Sequence, residues 1–227
     1  MFIKSLIDVF SHFHHARIVR YIKKNNLNFD KYVDVGTHEG ELLEHILKLG
    51  KKKFFCVEPQ TLLYKALKKK FKRARIFNYA LDKKISKKTF FINKLDGTST
   101  LSKFNDNSFF LKFKNFLLQQ KKNFEKKTVL KTSTMDHLFK NIPLNKAFLK
   151  IDVEGYEINV LKGAKKKLKE VSYILIEHQF GNHYKNSNFA KVDKCLKDNN
   201  FNVLKDFYFP TLHFKDTLYK KNNLKGK

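Results

Sequence analysis

At 227 residues the chain is long enough for one domain with a single substantial core, and its 42 % hydrophobic content excludes an intrinsically disordered protein. The formal charge of +27 suggests a nucleic-acid partner. Only four of the 48 basic residues are arginine, however (Arg17, Arg20, Arg73, Arg75), and Lys, Asn and the 24 Phe share A/T-rich codons. Coding bias explains that balance without selection for a polyanion, because phosphate and base recognition recruit arginine; no specific nucleic-acid partner is expected. Cys56 and Cys195 lie far apart without metal-ligand spacing, so neither a disulfide framework nor a zinc site is read, and a reducing, cytoplasmic location is expected.

In chain order, residues 2–22 read as an amphipathic helix. Ile3, Leu6, Ile7, Phe10 and Phe13 share a face that Ile18, Tyr21 and Ile22 extend. Asp8 and the charges after it exclude a membrane span. Residues 1–30 are therefore expected to be a packing or lid element, with peripheral contact at the inner face of the membrane as the minority reading, given Lys4, Arg17 and Arg20. His12, His14 and His15 are read as surface or lid residues. Tyr32-Val33-Asp34-Val35 then reads as a strand entering a loop, Gly36-Thr37-His38-Glu39-Gly40, before a helix through Leu42, Leu43, Ile46 and Leu47. The loop glycines permit a tight turn and a close ligand approach. The strand Phe54–Val57 ends in Glu58, about 20 residues past the glycine loop, where nucleotide folds place an acid that accepts ribose hydroxyls.

A helix through Leu62, Leu67 and Phe71 follows, then a third strand over 74–80 ending at Leu81-Asp82, a short β stretch at 89–92, and an irregular region over 102–127 expected to close over substrate. A strand at 128–132 and a short helix at 135–139 lead to the apolar run 147–151. Asp152 and Glu154 stand where that strand stops and a helix through Val160, Leu161, Ala164 and Leu168 begins, the edge at which open α/β sheets bind ligands. Two carboxylates there are costly unless used; a helix cap at Asp152 is the bland alternative. The strand 172–176 ends in Glu177-His178, a helix covers 189–196, and 201–204 with 207–214 form a closing strand pair. Domain boundaries are set at 31–214, with 215–227 a frayed polar tail. Alternating strands and helices predict an α/β fold, a mostly parallel central sheet with helices on both faces and a closing antiparallel pair.

The motifs Val33-Asp34-Val35-Gly36 with Gly40, Val57-Glu58-Pro59, Asn78-Tyr79-Ala80-Leu81, Gly97-Thr98-Ser99-Thr100-Leu101, Lys150-Ile151-Asp152-Val153-Glu154-Gly155-Tyr156-Glu157 with Val160-Leu161-Lys162-Gly163-Ala164, and Ile176-Glu177 occur in order. Together they resemble the FkbM family of S-adenosylmethionine-dependent methyltransferases, from about Lys31 to His178. The resemblance implies a Rossmann-like class I methyltransferase fold whose first and fourth strands are neighbours, so that Asp34 to Gly40 and Asp152 converge at the topological switch point. It implies that the Gly36 loop, with Asp34, His38 and Gly40, holds the methionine part of S-adenosyl-L-methionine, Glu58 its ribose hydroxyls, and Asp82 a place near adenine. Thr37-His38 stands where the family commonly has Ala-Asn.

A neutral hydroxyl acceptor would want a general base, and Asp152, Glu154 and His178 are the candidates. A divalent cation on Asp152, Glu177 and His178 could acidify that hydroxyl instead. The acceptor implied by the resemblance is a sugar hydroxyl of a surface glycan, glycolipid or glycosylated metabolite. Three readings compete with it: an RNA-directed methyltransferase using the basic surface, a nucleotide-cofactor oxidoreductase, and a non-catalytic binding protein. The oxidoreductase is disfavoured because Gly36-Thr37-His38-Glu39-Gly40 lacks the G-x-G-x-x-G pattern.

Overall fold

The computed structural model describes residues 2–50, 52–93, 99–105, 107, 108, 111, 124, 126–181, 183–185, 188–210 and 214–222. Among them, α1 (Phe2–Lys24) precedes β1 (Lys31–Val35), α2 (Glu41–Leu47), β2 (Lys53–Val57), α3 (Thr61–Lys70), β3 (Ala74–Phe77), β4 (Ala80–Leu81) and β5 (Ser86–Ile92). There follow β6 (Lys126–Ser133), α4 (Met135–Leu138), β7 (Ala147–Ile151), α5 (Glu157–Lys162), β8 (Val171–Gln179), α6 (Phe189–Asp198), β9 (Phe201–Tyr208) and β10 (Phe214–Lys221). Seven strands form the main sheet in the order β3-β2-β1-β7-β8-β10-β9, and β4-β6-β5 form a small second sheet. Strands β3 through β8 of the main sheet are parallel, whereas β10 runs antiparallel to both β8 and β9. The first and fourth strands of the main sheet, β1 and β7, are neighbours as expected, with Asp34 opposite Lys150.

Strand alternation sorts the core into two layers. Val33, Val35, Leu149, Ile151, Ile174 and Ile176 face α5 and α6, where Val160, Leu161, Val192 and Leu196 cover them. Tyr32, Phe54, Phe148 and Leu175 point the other way, under Ile18 and Ile22 of α1, Leu42, Leu43 and Ile46 of α2, and Leu67 of α3. Each such fully buried aliphatic side chain contributes about 1.5–3 kcal/mol. The same parity places Asp34 and Lys150 on the α1–α2 side of the sheet.

Several expectations change. The third strand divides, Ala74–Phe77 staying in the main sheet and Ala80–Leu81 pairing with β6. The tail expected from 215 is instead β10 as far as Lys221, a strand inside the sheet. Its buried Asp216 and Thr217 are satisfied by His14 and Asp206, so it lacks the apolar alternation that marks a strand. The turn falls after Tyr208, around Phe209 and Pro210, rather than after Leu204. Helix α1 packs through Ile18 and Ile22, but Phe13 is 62 % exposed and does not share that face. His14, expected at the surface, is buried with Nε2 2.7 Å from Asp216 Oδ2. Most of the 102–127 segment, with Gly97 and Thr98, lies outside the described residues.

Candidate active site

At the carboxyl edge of β1, β2 and β7 the loops leave a cleft open to solvent, with about 540 Å³ of empty space in and in front of it. Gly36, His38, Glu58, Tyr79, Thr100, Asp152, Glu154 and Tyr156 are among its walls. Its floor is a backbone crossing. Gly36 has φ 83°, and a Cβ there would stand 1.8 Å from the carbonyl oxygen of Asp152, so only glycine lets the β1 and β7 loops meet.

Glu58 leaves the end of β2 into this cleft. Its Oε2 accepts the His38 amide at 3.0 Å and its Oε1 the Gln60 amide at 2.8 Å. Burial pushes its carboxyl up to about 7, against the pull of those two N–H donors. A carboxylate offers about four lone-pair sites, so capacity remains for ribose hydroxyls. Glycine crossing, strand-end acid and cleft together fit a nucleoside cofactor with an amino-acid tail.

Three residues expected near the cofactor do not line the cleft. Asp34 is buried beneath the loop, accepting from Tyr32 Oη at 3.0 Å and lying 3.6 Å from Lys150 Nζ. Asp82 is fully buried, held by Lys88 at 2.8 Å, Tyr156 Oη at 3.0 Å and the Lys83 amide at 2.7 Å. Leu81, Ala80 and Tyr79 occupy the wall where Asp82 was expected. Gly40 also sits behind the loop, against Phe71.

Beyond the crossing the acids gather. Asp152, Glu154 and Glu177 each bring a carboxylate oxygen within 4.8 Å of the others. Glu154 is a residue with φ 56°, a left-handed turn that aims it back under the cleft. Tyr184 Oη donates to its Oε2 at 2.7 Å, and Gln179 Nε2 bridges it to Glu177. Burial and then the Asp152 charge push Glu154 up to about 8. Burial, followed by Asp152 and Glu154, holds Glu177 well above the usual carboxylate range. Gly155 makes this fold-back possible, because a Cβ there would stand 2.4 Å from the Tyr184 ring. Thr100 Oγ1 fastens the same turn by donating to the carbonyls of Val153 and Glu154.

His178 is not part of this cluster. Successive strand residues point to opposite faces, so His178 leaves Glu177 and stacks on Phe189 with ring centroids 3.6 Å apart. Burial, helped by Lys215, lowers its imidazole to about 4. The trio that could hold a divalent cation is thus Asp152, Glu154 and Glu177, with His178 replaced by Glu154.

Lys150 is the residue the sequence reading passed over. Its buried Nζ lies 3.2 Å from Asp152 Oδ2 and 3.6 Å from Asp34 Oδ1, tying the roots of both loops together. Burial works against its charge, but Asp34 and Asp152 more than reverse that and hold it above the ordinary lysine value. The signal was in the letters: a lysine inside an apolar strand, two residues before Asp152, must find an anion. Tyr156, Gln179 and Tyr184 gave no such signal, because their partners are distant in sequence.

A family model, the methyltransferase FkbM domain, matches residues 34–203. The fold is also that of solved methyltransferases. A magnesium protoporphyrin IX methyltransferase from Synechocystis PCC 6803, with bound S-adenosylmethionine, superposes with a TM-score of 0.54 at 9 % identity, over 95 % of this chain and 82 % of its own. An S-adenosylmethionine-dependent methyltransferase from Clostridium acetobutylicum ATCC 824 does so with a TM-score of 0.51 at 12 % identity, over 94 % and 92 %. No curated protein matches the chain in sequence. The chain belongs to the FkbM methyltransferase family and is an S-adenosylmethionine-dependent methyltransferase.

Proposed function

We propose that the chain is an O-methyltransferase acting on a sugar hydroxyl of a glycan, glycolipid or glycosylated metabolite. The observation that carries oxygen as the acceptor atom is Glu154, a carboxyl in the cleft wall pushed up to about 8. A base of that strength is matched to proton removal near neutral pH, a contribution of about 10²–10⁴-fold. The sugar as acceptor follows from the family resemblance.

Bound there, S-adenosylmethionine would supply an electrophilic methyl on a sulfonium: its C–S bond would break to leave S-adenosylhomocysteine as a C–O bond forms to the acceptor, whose hydroxyl proton would pass to a carboxylate. The chain's part is to bind, orient and receive that proton. Glu58 would accept from the ribose hydroxyls, and the Gly36 loop with His38 would cradle the methionine end. Glu154 takes the acceptor's proton, steadied by Tyr184 and Gln179. Asp152, fixed by Lys150, places negative charge beside the reacting centre. Holding both reactants in line supplies about 7–11 kcal/mol of the barrier reduction. A divalent cation on Asp152, Glu154 and Glu177 is the second reading, favoured by the convergence of their oxygens. Turnover lost to a chelator and restored by Mg²⁺ would select it.

The test is to incubate the purified protein and methyl-labelled S-adenosylmethionine with glycan, glycolipid and RNA fractions. Alkali-stable label in a carbohydrate fraction, insensitive to nuclease, supports the proposal. Label confined to RNA overturns it in favour of the RNA-directed reading.

A further inference from the structure

The outward face of α1 has a composition that packing against its own domain explains only in part: one Arg17 N–H donates to the Tyr208 carbonyl at 3.1 Å and His12 lies against His45. Between Val9 and Lys24 the exposed residues are Val9, His12, Phe13, Arg17, Arg20, Lys23 and Lys24. Val9, Phe13, Arg17, Arg20 and Lys24 follow one another at spacings of four, four, three and four, which is a single stripe of a helix. Two arginines of the chain's four lie on it, and none of these exposed residues is acidic. Val9 and Phe13 are 47 % and 62 % exposed, although the opposite face of the helix buries Ile18 and Ile22. The stripe thus runs from an apolar, aromatic end to a cationic end.

We propose that this stripe docks the protein on an anionic lipid surface, with Phe13 and Val9 entering the headgroup boundary and Arg17, Arg20 and Lys24 meeting lipid phosphates. An aromatic beside bases, without acids, complements such a surface in both polarity and charge. A nucleic acid would use the bases but gains little from Phe13 alone, and among the described residues of the stripe, Val9 to Lys24, there is no second aromatic. The orientation suits the cleft. His14, on the inner face of the same helix, binds Asp216, and Asp216 is the register partner of Glu177, so α1 flanks the sheet edge that carries the acids. Docking would hold that edge near lipid-borne acceptors, but binding to lipid does not depend on what the acceptor is.

The experiment is co-sedimentation of the full chain with phosphatidylcholine vesicles with and without phosphatidylglycerol. Three variants are compared: Phe13→Ser, Arg20→Glu with Lys24→Glu, and Lys68→Glu with Lys69→Glu. The last pair is exposed on α3 and changes net charge by the same amount. All four side chains replaced by charge reversal are exposed, and S-adenosylhomocysteine affinity measured alongside checks that every variant is folded. Each base near an anionic leaflet contributes about fivefold. The proposal expects binding that requires phosphatidylglycerol, a loss of at least about 20-fold for the Arg20 and Lys24 pair, and a loss of about fivefold or more for Phe13→Ser. The α3 pair should lose much less than the α1 pair. Equal losses for the two charge pairs overturn it, since attraction would then be spread over the whole basic surface. So does Phe13→Ser binding like the parent, which would leave charge attraction with no insertion of the apolar end, or the absence of any phosphatidylglycerol-dependent binding.

Discussion

Lys150→Met removes the cation that joins the two loops while keeping most of the side-chain volume. In the parent, the ammonium lies 3.6 Å from a buried Asp34 and 3.2 Å from Asp152. Tyr32 Oη remains as a donor to Asp34 after the substitution, but a hydroxyl does not neutralise a buried charge. Removing one partner of a buried ion pair costs about 3–5 kcal/mol, chiefly because the other charge is left in a poorly polarisable site. For a chain of this length about 1 kcal/mol shifts the melting temperature by 2–4 °C, so a fall of roughly 6–20 °C is expected at neutral pH. Burial already raises the Asp34 carboxyl. Without Lys150 it rises further, and protonating it relieves the penalty, so the deficit should shrink as pH falls. The double variant Lys150→Met with Asp34→Asn removes both charges and should recover most of the loss. Thermal and urea unfolding by circular dichroism measure all three proteins. If Lys150→Met melts with the parent, or the double variant is no more stable than the single one, the buried bridge does not hold the loops.

Other expectations follow from the same geometry. Glu154→Gln should cost 10²-fold or more in kcat/KM against an identified acceptor. In the parent, kcat/KM should climb with pH and level off above about 8, where Glu154 is ionised; a flat profile would exclude it as the base. Asp152→Asn should likewise lose about 10²-fold or more, the scale of a positioned electrostatic contact; a helix cap is not its role, since α5 begins at Glu157 with Tyr156 in the capping position. Stability has the opposite pH dependence to the rate. Glu58, Glu154 and Glu157 are raised by burial to about 7, 8 and 7, so their neutral forms favour the fold, fully so below the unfolded carboxylate value. That contribution drains as pH climbs through the folded values, by about 1.4 kcal/mol per pH unit for each group in the window. Melting temperatures that rise between pH 5.5 and 8.5 would contradict this, on the order of the three shifts combined.

The parallel α/β class was legible because strands and helices alternate, and the neighbouring of β1 and β7 followed from the family resemblance; three strands stop at a chemically marked residue: Gly36 after β1, Glu58 after β2, Asp152 after β7. Those marks lie at one edge, and Gly36, Glu58, Asp152 and Glu154 do meet there. Placing Glu177 and His178 together on one cation neglected alternation along β8, which sends neighbours to opposite faces. Asp82 looked the same as Glu58 in sequence, at a strand end after an apolar run. What separates them is tertiary: Lys88 and Tyr156 come from β5 and the β7–α5 turn to consume one, and backbone amides alone hold the other. Strand β10 was hidden because its buried polar residues find their partners on α1 and β9, distant segments that no local pattern reveals.

The central claim is that the cleft over the Gly36–Asp152 crossing holds S-adenosylmethionine with Glu58 at its ribose. Calorimetric titration of that cofactor into the parent and into Glu58→Ala tests it most directly. At pH 8.5, where Glu58 with its carboxyl raised to about 7 is ionised, the account predicts one site per chain in the parent and a 10–100-fold weaker one in the variant, since hydrogen bonds to a charged acceptor contribute about 1.5–3 kcal/mol. A folded Glu58→Ala protein that binds the cofactor as tightly as the parent would contradict it.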